Sequence, residues 1–259
     1  MLKLAVVFPW SSPFIWTATM ESMLDLRHPD DCEVRFIRGG GWCPARRHVE
    51  GCQKAIDWGA DFILIVGSDQ VYEPDLLERL MARTKQGYDV VAALVPARGY
   101  FGRNKMRPFQ PMAWRLKTTE QLGSMEVREY RGYQVDSDMI EVVELQPDGE
   151  EMQQINFIGS GVLLFHTDYL LSLEQPWFFE TFNPKTMERH ASMDTKFVWR
   201  LQDEALATVW LDTTIKIKHL HPFEIDDTFQ YRFMDWMTPG VGDVDICDFL
   251  PERASCQPS

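Results

Sequence analysis

Asp69 is the first residue of this chain whose type and setting could do chemistry. It follows Phe62–Val66, a continuous apolar run rich in branched side chains, and then Gly67 and Ser68. Such a run reads as a strand buried on both faces of a parallel sheet. Asp69 then stands at the carboxyl end of that strand, where open α/β sheets place their ligands. A carboxylate there is suited to holding a divalent cation on a phosphate. A helix beginning near Pro74 follows, so a capping role for Asp69 is open as well. Asp194 falls in the first turn of a helix read over 193–204, where the helix dipole favours a carboxylate. His219 and His221 come directly after two strand-like segments, 208–211 and 214–217. Arg98, Arg103, Lys105, Arg107, Arg115 and Lys117 make a locally basic stretch in an otherwise acidic chain.

The elements that must position these groups read as alternating strands and helices. Residues 2–8 form a central strand stopped by Pro9, and 9–13 form a loop at its carboxyl end. Residues 17–26 have helical spacing of Met20, Met23 and Leu24. Residues 32–37 form a second strand, closed by Gly39, Gly40 and Gly41. That triplet reads as a flexible turn and not a phosphate loop, since no GKS or GxGxxG frame follows. Residues 45–58 form a helix with Pro44 at its first turn and Gly59 at its end. After Phe62–Val66 come a helix from 74 to about 85 and an apolar strand at 88–95. This order argues a right-handed parallel α/β unit.

From 97 to about 154 the chain is polar and irregular. It reads as a solvated insertion or as a lid facing phosphate or acceptor, and 126–145 alternates enough for a hairpin or edge strands. Core character returns at 155–165, where Gly159-Ser160-Gly161 inside the apolar run implies a bulge or a close backbone approach by ligand. A short helix at 168–173 follows. Pro176, Trp177, Phe178 and Phe179 form either core or a sugar-stacking wall. The tail from Phe223 is acidic and reads as a covering segment. No internal repeat and no low-complexity tract is present.

Composition narrows the function classes. A chain of 259 residues that is 45% hydrophobic and 25% charged buries a core without staples. A formal net charge of −13 opposes a broad electrostatic grip on nucleic acid or anionic lipid. The 5 cysteines are odd in number and lack CxxC spacing, which points to reduced thiols and a cytoplasmic setting. The amino-terminal apolar stretch reads as a strand and not a signal peptide. No apolar run approaches the ~20 residues of a membrane span.

Four segments together resemble a glycosyltransferase of the GT-A fold, close to the inverting family 2 group. They are the helix with Ala45-Arg46 leading into Gly59-Ala60-Asp61; the strand ending in Gly67-Ser68-Asp69 with Pro74-Asp75-Leu76-Leu77 after it; the strand at 157–164; and Met193-Asp194-Thr195-Lys196-Phe197-Val198-Trp199-Arg200, similar to the family's EDxxFxxR helix. His219 follows at the family's distance. The resemblance covers roughly 1–222. It implies one GT-A-like catalytic domain over those residues, a Rossmann-like, mostly parallel sheet flanked by helices, with 97–154 inserted and an acidic extension over 223–259.

It also implies roles. Asp69 and His219 become ligands of Mn2+ or Mg2+ on the diphosphate of a UDP- or GDP-linked sugar, with His221 as the alternative histidine. Asp194 becomes the base that takes the acceptor's proton, which implies inversion at the anomeric carbon. Pro9, Trp10, Arg46, Ser68, Gly159, Ser160 and Gly161 line the nucleotide sugar, with Trp10 offering a stacking face. The acceptor is open among glycan, lipid, protein and modified nucleobase. Two departures stand out: the first acid of the family's DxD is Gly67 here, and the glutamate beside the base is Met193. They keep open a non-catalytic nucleotide-sugar binding protein. A sugar-phosphate nucleotidyltransferase is a further alternative, though it would want a glycine- and lysine-rich loop where 9–13 stand.

Overall fold

The longest apolar runs of the sequence become the middle of one sheet. The computed structural model describes residues 1–10, 15–96, 112–116, 140–142, 151–182 and 189–220. The chain begins β1 (Leu2–Pro9), α1 (Thr17–Leu24), β2 (Cys32–Gly39), α2 (Pro44–Trp58), β3 (Phe62–Val66), β4 (Gln70–Val71), α3 (Leu76–Lys85) and β5 (Val90–Leu94). It continues β6 (Ala113–Leu116), β7 (Ile140–Val142), β8 (Met152–Gln154), β9 (Phe157–Ile158), β10 (Val162–His166) and α4 (Thr167–Leu171). It ends β11 (Thr181–Phe182), β12 (Arg189–Ala191), α5 (Met193–Asp203), β13 (Val209–Lys216) and β14 (Lys218–His219).

Among the described residues the main sheet has 7 strands in the order β2-β1-β3-β10-β5-β13-β8. Strands β2, β1, β3, β5 and β13 run one way, while β10 and the edge strand β8 run against them. The mostly parallel α/β class therefore holds, with one difference from the simple strand–helix–strand reading. β5 does not pair with β3, because β10 lies antiparallel between them. Val162, Leu163, Leu164 and Phe165 are all fully buried, so β10 suits a place with a helical layer on each face. Local order along the chain carries no information about such a late insertion.

Period-2 alternation divides the buried side chains between two layers. Ala5, Val7, Ile63, Ile65, Leu163 and Phe165 meet α2 and α5 through Cys52, Ala55, Phe197 and Leu201. Leu4, Val6, Leu64, Val66, Val91 and Leu164 meet α3 through Leu76, Leu77, Leu80 and Met81. Gly39 departs from the expected flexible turn. It is the last residue of β2, and a Cβ there would stand 2.0 Å from the Arg47 carbonyl oxygen. Its lack of a side chain lets α2 seat closely on the sheet.

Other expectations shift in detail. The run 155–165 is broken: Phe157–Ile158 joins β6 and β7 in a three-stranded sheet, and the main-sheet strand starts at Val162. The two strands expected at 208–217 are one strand, Val209–Lys216, with a register shift between Asp212 and Lys216. Trp177 and Phe178 are core residues, not a sugar-stacking wall. Of the basic stretch, Arg115 is described, in β6, and the others lie outside the described residues. So do residues 11–13, most of the 126–145 hairpin, His221 and the tail from Phe223.

Candidate functional site

The carboxyl end of β3 and the far end of the chain meet in a two-stranded ladder. β14 pairs antiparallel with β4, with His219 opposite Gln70 and Lys218 opposite Val71. The Leu220 N–H donates to the Asp69 carbonyl at 2.8 Å. His219 Nε2 consequently stands 3.5 Å from Asp69 Oδ2, with both side chains largely buried. His219 Nδ1 lies 2.8 Å from the Pro96 carbonyl oxygen. A carbonyl only accepts, so Nδ1 carries the proton and Nε2 is the lone-pair nitrogen of the neutral ring.

That pair fits a hard or borderline cation. Two donor atoms 3.5 Å apart are near enough to share one ion, but adjacent octahedral positions with bonds of about 2.1 Å lie only about 3.0 Å apart, so the two would have to draw together on binding. A second hydrogen bond that fixes a ligating imidazole's tautomer is the usual support of a metal-binding histidine. Among the described residues no group of three or more His, Cys, Asp or Glu side chains is arranged to hold a metal. The remaining ligands would come from diphosphate and water.

Asp194 sits in the first turn of α5, whose N-cap Ser192 accepts from the Thr195 N–H at 3.3 Å. Ser160 Oγ donates to Asp194 Oδ1 at 2.6 Å. The same hydroxyl is 3.2 Å from His48 Nε2, and His48 Nδ1 is 2.9 Å from the Pro44 carbonyl oxygen. His48 is 5% exposed and stacks on Phe178 at 4.9 Å between ring centroids. Burial pushes its imidazole pKa down, against the opposing effects of the Pro44 carbonyl and of Asp194. A chain of polar side chains, His48–Ser160–Asp194, buried at His48 and Ser160 and half-buried at Asp194, thus joins α2, the turn before β10 and α5.

The two clusters share one end of the sheet. Gly67 N–H donates to the Gly161 carbonyl at 2.8 Å, tying the segment that carries Asp69 to the turn that carries Ser160. The buried Gln70 side chain lies across both glycines. A Cβ would stand 2.7 Å from Gln70 Cδ at position 67 and 2.4 Å from Gln70 Nε2 at position 161. Tyr72 closes the arrangement by donating its hydroxyl hydrogen to the Gly67 carbonyl. Gly159 is packed against Met112, whose Cε would lie 2.8 Å from a Cβ at position 159.

Asp69, Ser68, Ser160, Gly161, His219 and, through Ser160, Asp194 are brought to this end. Pro9 ends β1, and Trp10 follows it with its N–H 3.3 Å from the Gly39 carbonyl oxygen and the Arg38 guanidinium 5.2 Å from its ring centroid. Arg46 is exposed, its stem crosses the Gly41 turn and its charge acts on Glu50. His48 and Gln70 are the residues that reading the sequence missed. A signal existed for His48. It falls on the buried stripe of α2 with Gly51, Cys52 and Ala55, where an ionisable ring needs a partner.

No protein-family model matches the sequence, and no curated protein matches it significantly. Among solved structures, A197 from STIV aligns with a TM-score of 0.50 at 13% identity, over 86% of this chain and 87% of that one. GalNAc-T7 with UDP, GalNAc and Mn2+ aligns with a TM-score of 0.47 at 9% identity, over 86% of this chain and 44% of that one. S. aureus TarS aligns with a TM-score of 0.46 at 12% identity, over 90% of this chain and 38% of that one. This chain therefore spans less than half the length of the latter two. Identities this low speak to fold alone, and the fold has the mostly parallel, Rossmann-like sheet flanked by helices that the sequence resemblance implied.

Proposed function

We propose that this chain is a glycosyltransferase. In this reading it moves a sugar from a UDP- or GDP-linked donor to an acceptor hydroxyl, with inversion and with help from Mn2+ or Mg2+. The observation that carries the reading is the approach of His219 to Asp69 at the same sheet end as the Ser160–Asp194 pair. Transfer of this kind needs a site for the leaving diphosphate and a carboxylate for the acceptor's proton, close together.

Asp69 and His219 would hold the cation, which when bound neutralises charge growing on the diphosphate. The β4–β14 ladder and the Pro96 carbonyl keep those two side chains in place before any ligand arrives. The buried Gln70 side chain, packed over Gly67 and Gly161, fixes the backbone that carries Asp69 and Ser160 at the sheet end. Trp10, Pro9 and Arg46 would lie along the nucleotide. Asp194 would accept the acceptor's proton as its oxygen bonds to the anomeric carbon and the carbon–phosphate-oxygen bond breaks. A single displacement from the side opposite the leaving group inverts the centre.

A panel of UDP- and GDP-sugars, assayed for transfer and for hydrolysis with and without Mn2+, tests this. Metal-stimulated release of the nucleoside diphosphate supports it. Binding of UDP or GDP with no turnover across the panel would favour the non-catalytic reading, to which Gly67 and Met193 point by replacing the acids of the family's motifs.

A further inference from the structure

We propose that Ser160 is a hydroxyl switch, donating to Asp194 while that carboxylate is empty and to His48 once Asp194 holds a proton. This deepens the assignment of Asp194 as base and rests on it for its catalytic meaning. The geometry itself stands apart from that assignment.

A serine hydroxyl has one hydrogen and two acceptor lone pairs. Ser160 Oγ has two neighbours that both want that hydrogen, Asp194 Oδ1 at 2.6 Å and His48 Nε2 at 3.2 Å. His48 is an acceptor at Nε2 because its Nδ1 hydrogen is committed to the Pro44 carbonyl at 2.9 Å. Burial in an aromatic pocket opposes a second proton on the ring. The charged groups acting on it are Asp194 from α5, which favours the cation, and Arg47 on its own helix, which disfavours it.

With Asp194 ionised, the shorter and charge-assisted contact takes the hydrogen. Once Asp194 is protonated, the acid form that carries its hydrogen on Oδ1 sets an O–H against Ser160 Oγ. The serine hydrogen then turns to His48 Nε2. The order becomes Asp194 to Ser160 to His48, ending on a fixed lone pair. No proton leaves Asp194 for the ring, and no charge is created on His48. The acid form of Asp194 simply gains a complete chain of acceptors that it would otherwise lack. His48 is therefore a positioning residue that strengthens the base from behind.

The test is 15N NMR of the full chain labelled in histidine, with neither donor nor acceptor present. His48→Gln assigns the signal by removing it. In the unsubstituted protein, His48 Nε2 should be of the unprotonated type at neutral pH and should move toward the hydrogen-bonded position when acid is added. Ser160→Ala should abolish that movement, and so should Asp194→Asn, which has no proton to gain. An Nε2 already protonated at neutral pH would overturn the proposal. So would a pH response that survives in either variant; if Ser160→Ala does not fold, Asp194→Asn alone decides. A donor panel with no turnover would defeat the transferase reading and leave this result standing. A flat NMR signal would do the reverse.

Discussion

His219 Nε2 and Asp69 Oδ2 stand 3.5 Å apart although most of the chain lies between them. The approach is built into the backbone. Asp69 comes one residue before β4 and His219 lies within β14, and among the described residues these two strands pair only with each other. The Leu220 N–H then fastens to the Asp69 carbonyl, and the Pro96 carbonyl orients the imidazole. Ion pairing through a protonated His219 is the competing use of such a pair, and metal dependence separates the two.

If the pair holds a cation, His219→Ala and Asp69→Asn should each weaken Mn2+-dependent binding of UDP or GDP by about 10–100-fold, the usual effect of damaging a metal site. Isothermal titration with Mn2+ present and absent reads this directly. The difference between the two conditions should shrink in both variants and stay unchanged in Asp194→Asn. Equal affinities with and without metal in the unsubstituted chain would leave only the ion pair.

Asp194 and His48 should separate by kinetics. Loss of a general base costs about 10²–10⁴-fold in rate. Asp194→Asn should therefore lower kcat in that range while the KM for donor holds. His48→Leu removes only the terminal acceptor of the Ser160 chain. It should lower kcat by several-fold, within the roughly tenfold that one net hydrogen bond allows. His48→Gln, which keeps an acceptor near the same place, should recover much of that loss. Product analysis by NMR should find the anomeric configuration inverted; retention would remove Asp194 from the role of base.

How far the sequence led is visible in particular residues. Phe62–Val66 was legible because five consecutive apolar side chains fit few structures other than a buried strand, and the place of Asp69 just beyond that strand's carboxyl end came with it. Helix α2 was legible from Pro44 and Gly59, the latter left-handed at φ 79°. The position of β10 between β3 and β5 was not legible, since pairing across the sheet is decided by long-range packing. Nor was the Ser160 hydroxyl's hold on Asp194, because the contact spans α5 and a turn that are remote in sequence. Gly159 and Gly161 marked only that something approaches closely. At position 161 that is the Gln70 side chain.

That approach gives a prediction with opposite consequences at two glycines. Gly161→Ala would put a Cβ 2.4 Å from Gln70 Nε2, which must then move away from the strap between the two clusters. A side-chain amide can shift, so stability should fall by only about 1 kcal/mol while donor binding suffers more. Gly39→Ala meets the Arg47 backbone carbonyl at 2.0 Å instead, and that cannot shift without moving α2. Here the loss should appear in thermal unfolding, by about 3 kcal/mol or more, the upper end for overpacking. Denaturant titration and nucleotide titration of both variants check the contrast. Equal profiles for the two would show that Gln70 is not the element that couples the sites.

A last prediction concerns acid stability. Asp212 of β13 is fully buried, accepts from Arg83 Nε at 2.7 Å and accepts the Thr214 N–H at 2.9 Å. Burial raises its pKa, but the Thr214 and Arg83 hydrogen bonds outweigh that and hold the carboxyl below the ordinary aspartate range. A carboxyl whose folded-state pKa lies below its unfolded value contributes its full stability above the unfolded value. That contribution is lost as pH falls through the lower, folded-state value. Asp212→Asn leaves Arg83 facing a neutral amide in a largely buried place, with the half-exposed contact to Glu151 as its other ion pair. At neutral pH the cost should be about 3–5 kcal/mol, as for a buried pair broken on one side. The difference from the unsubstituted protein should narrow on acidification, since the wild-type carboxyl also becomes neutral there. Melting temperatures across a pH series measure both effects. A gap that stays constant down through the carboxylate range would show that the ionised form of Asp212 is not what stabilises this edge of the sheet.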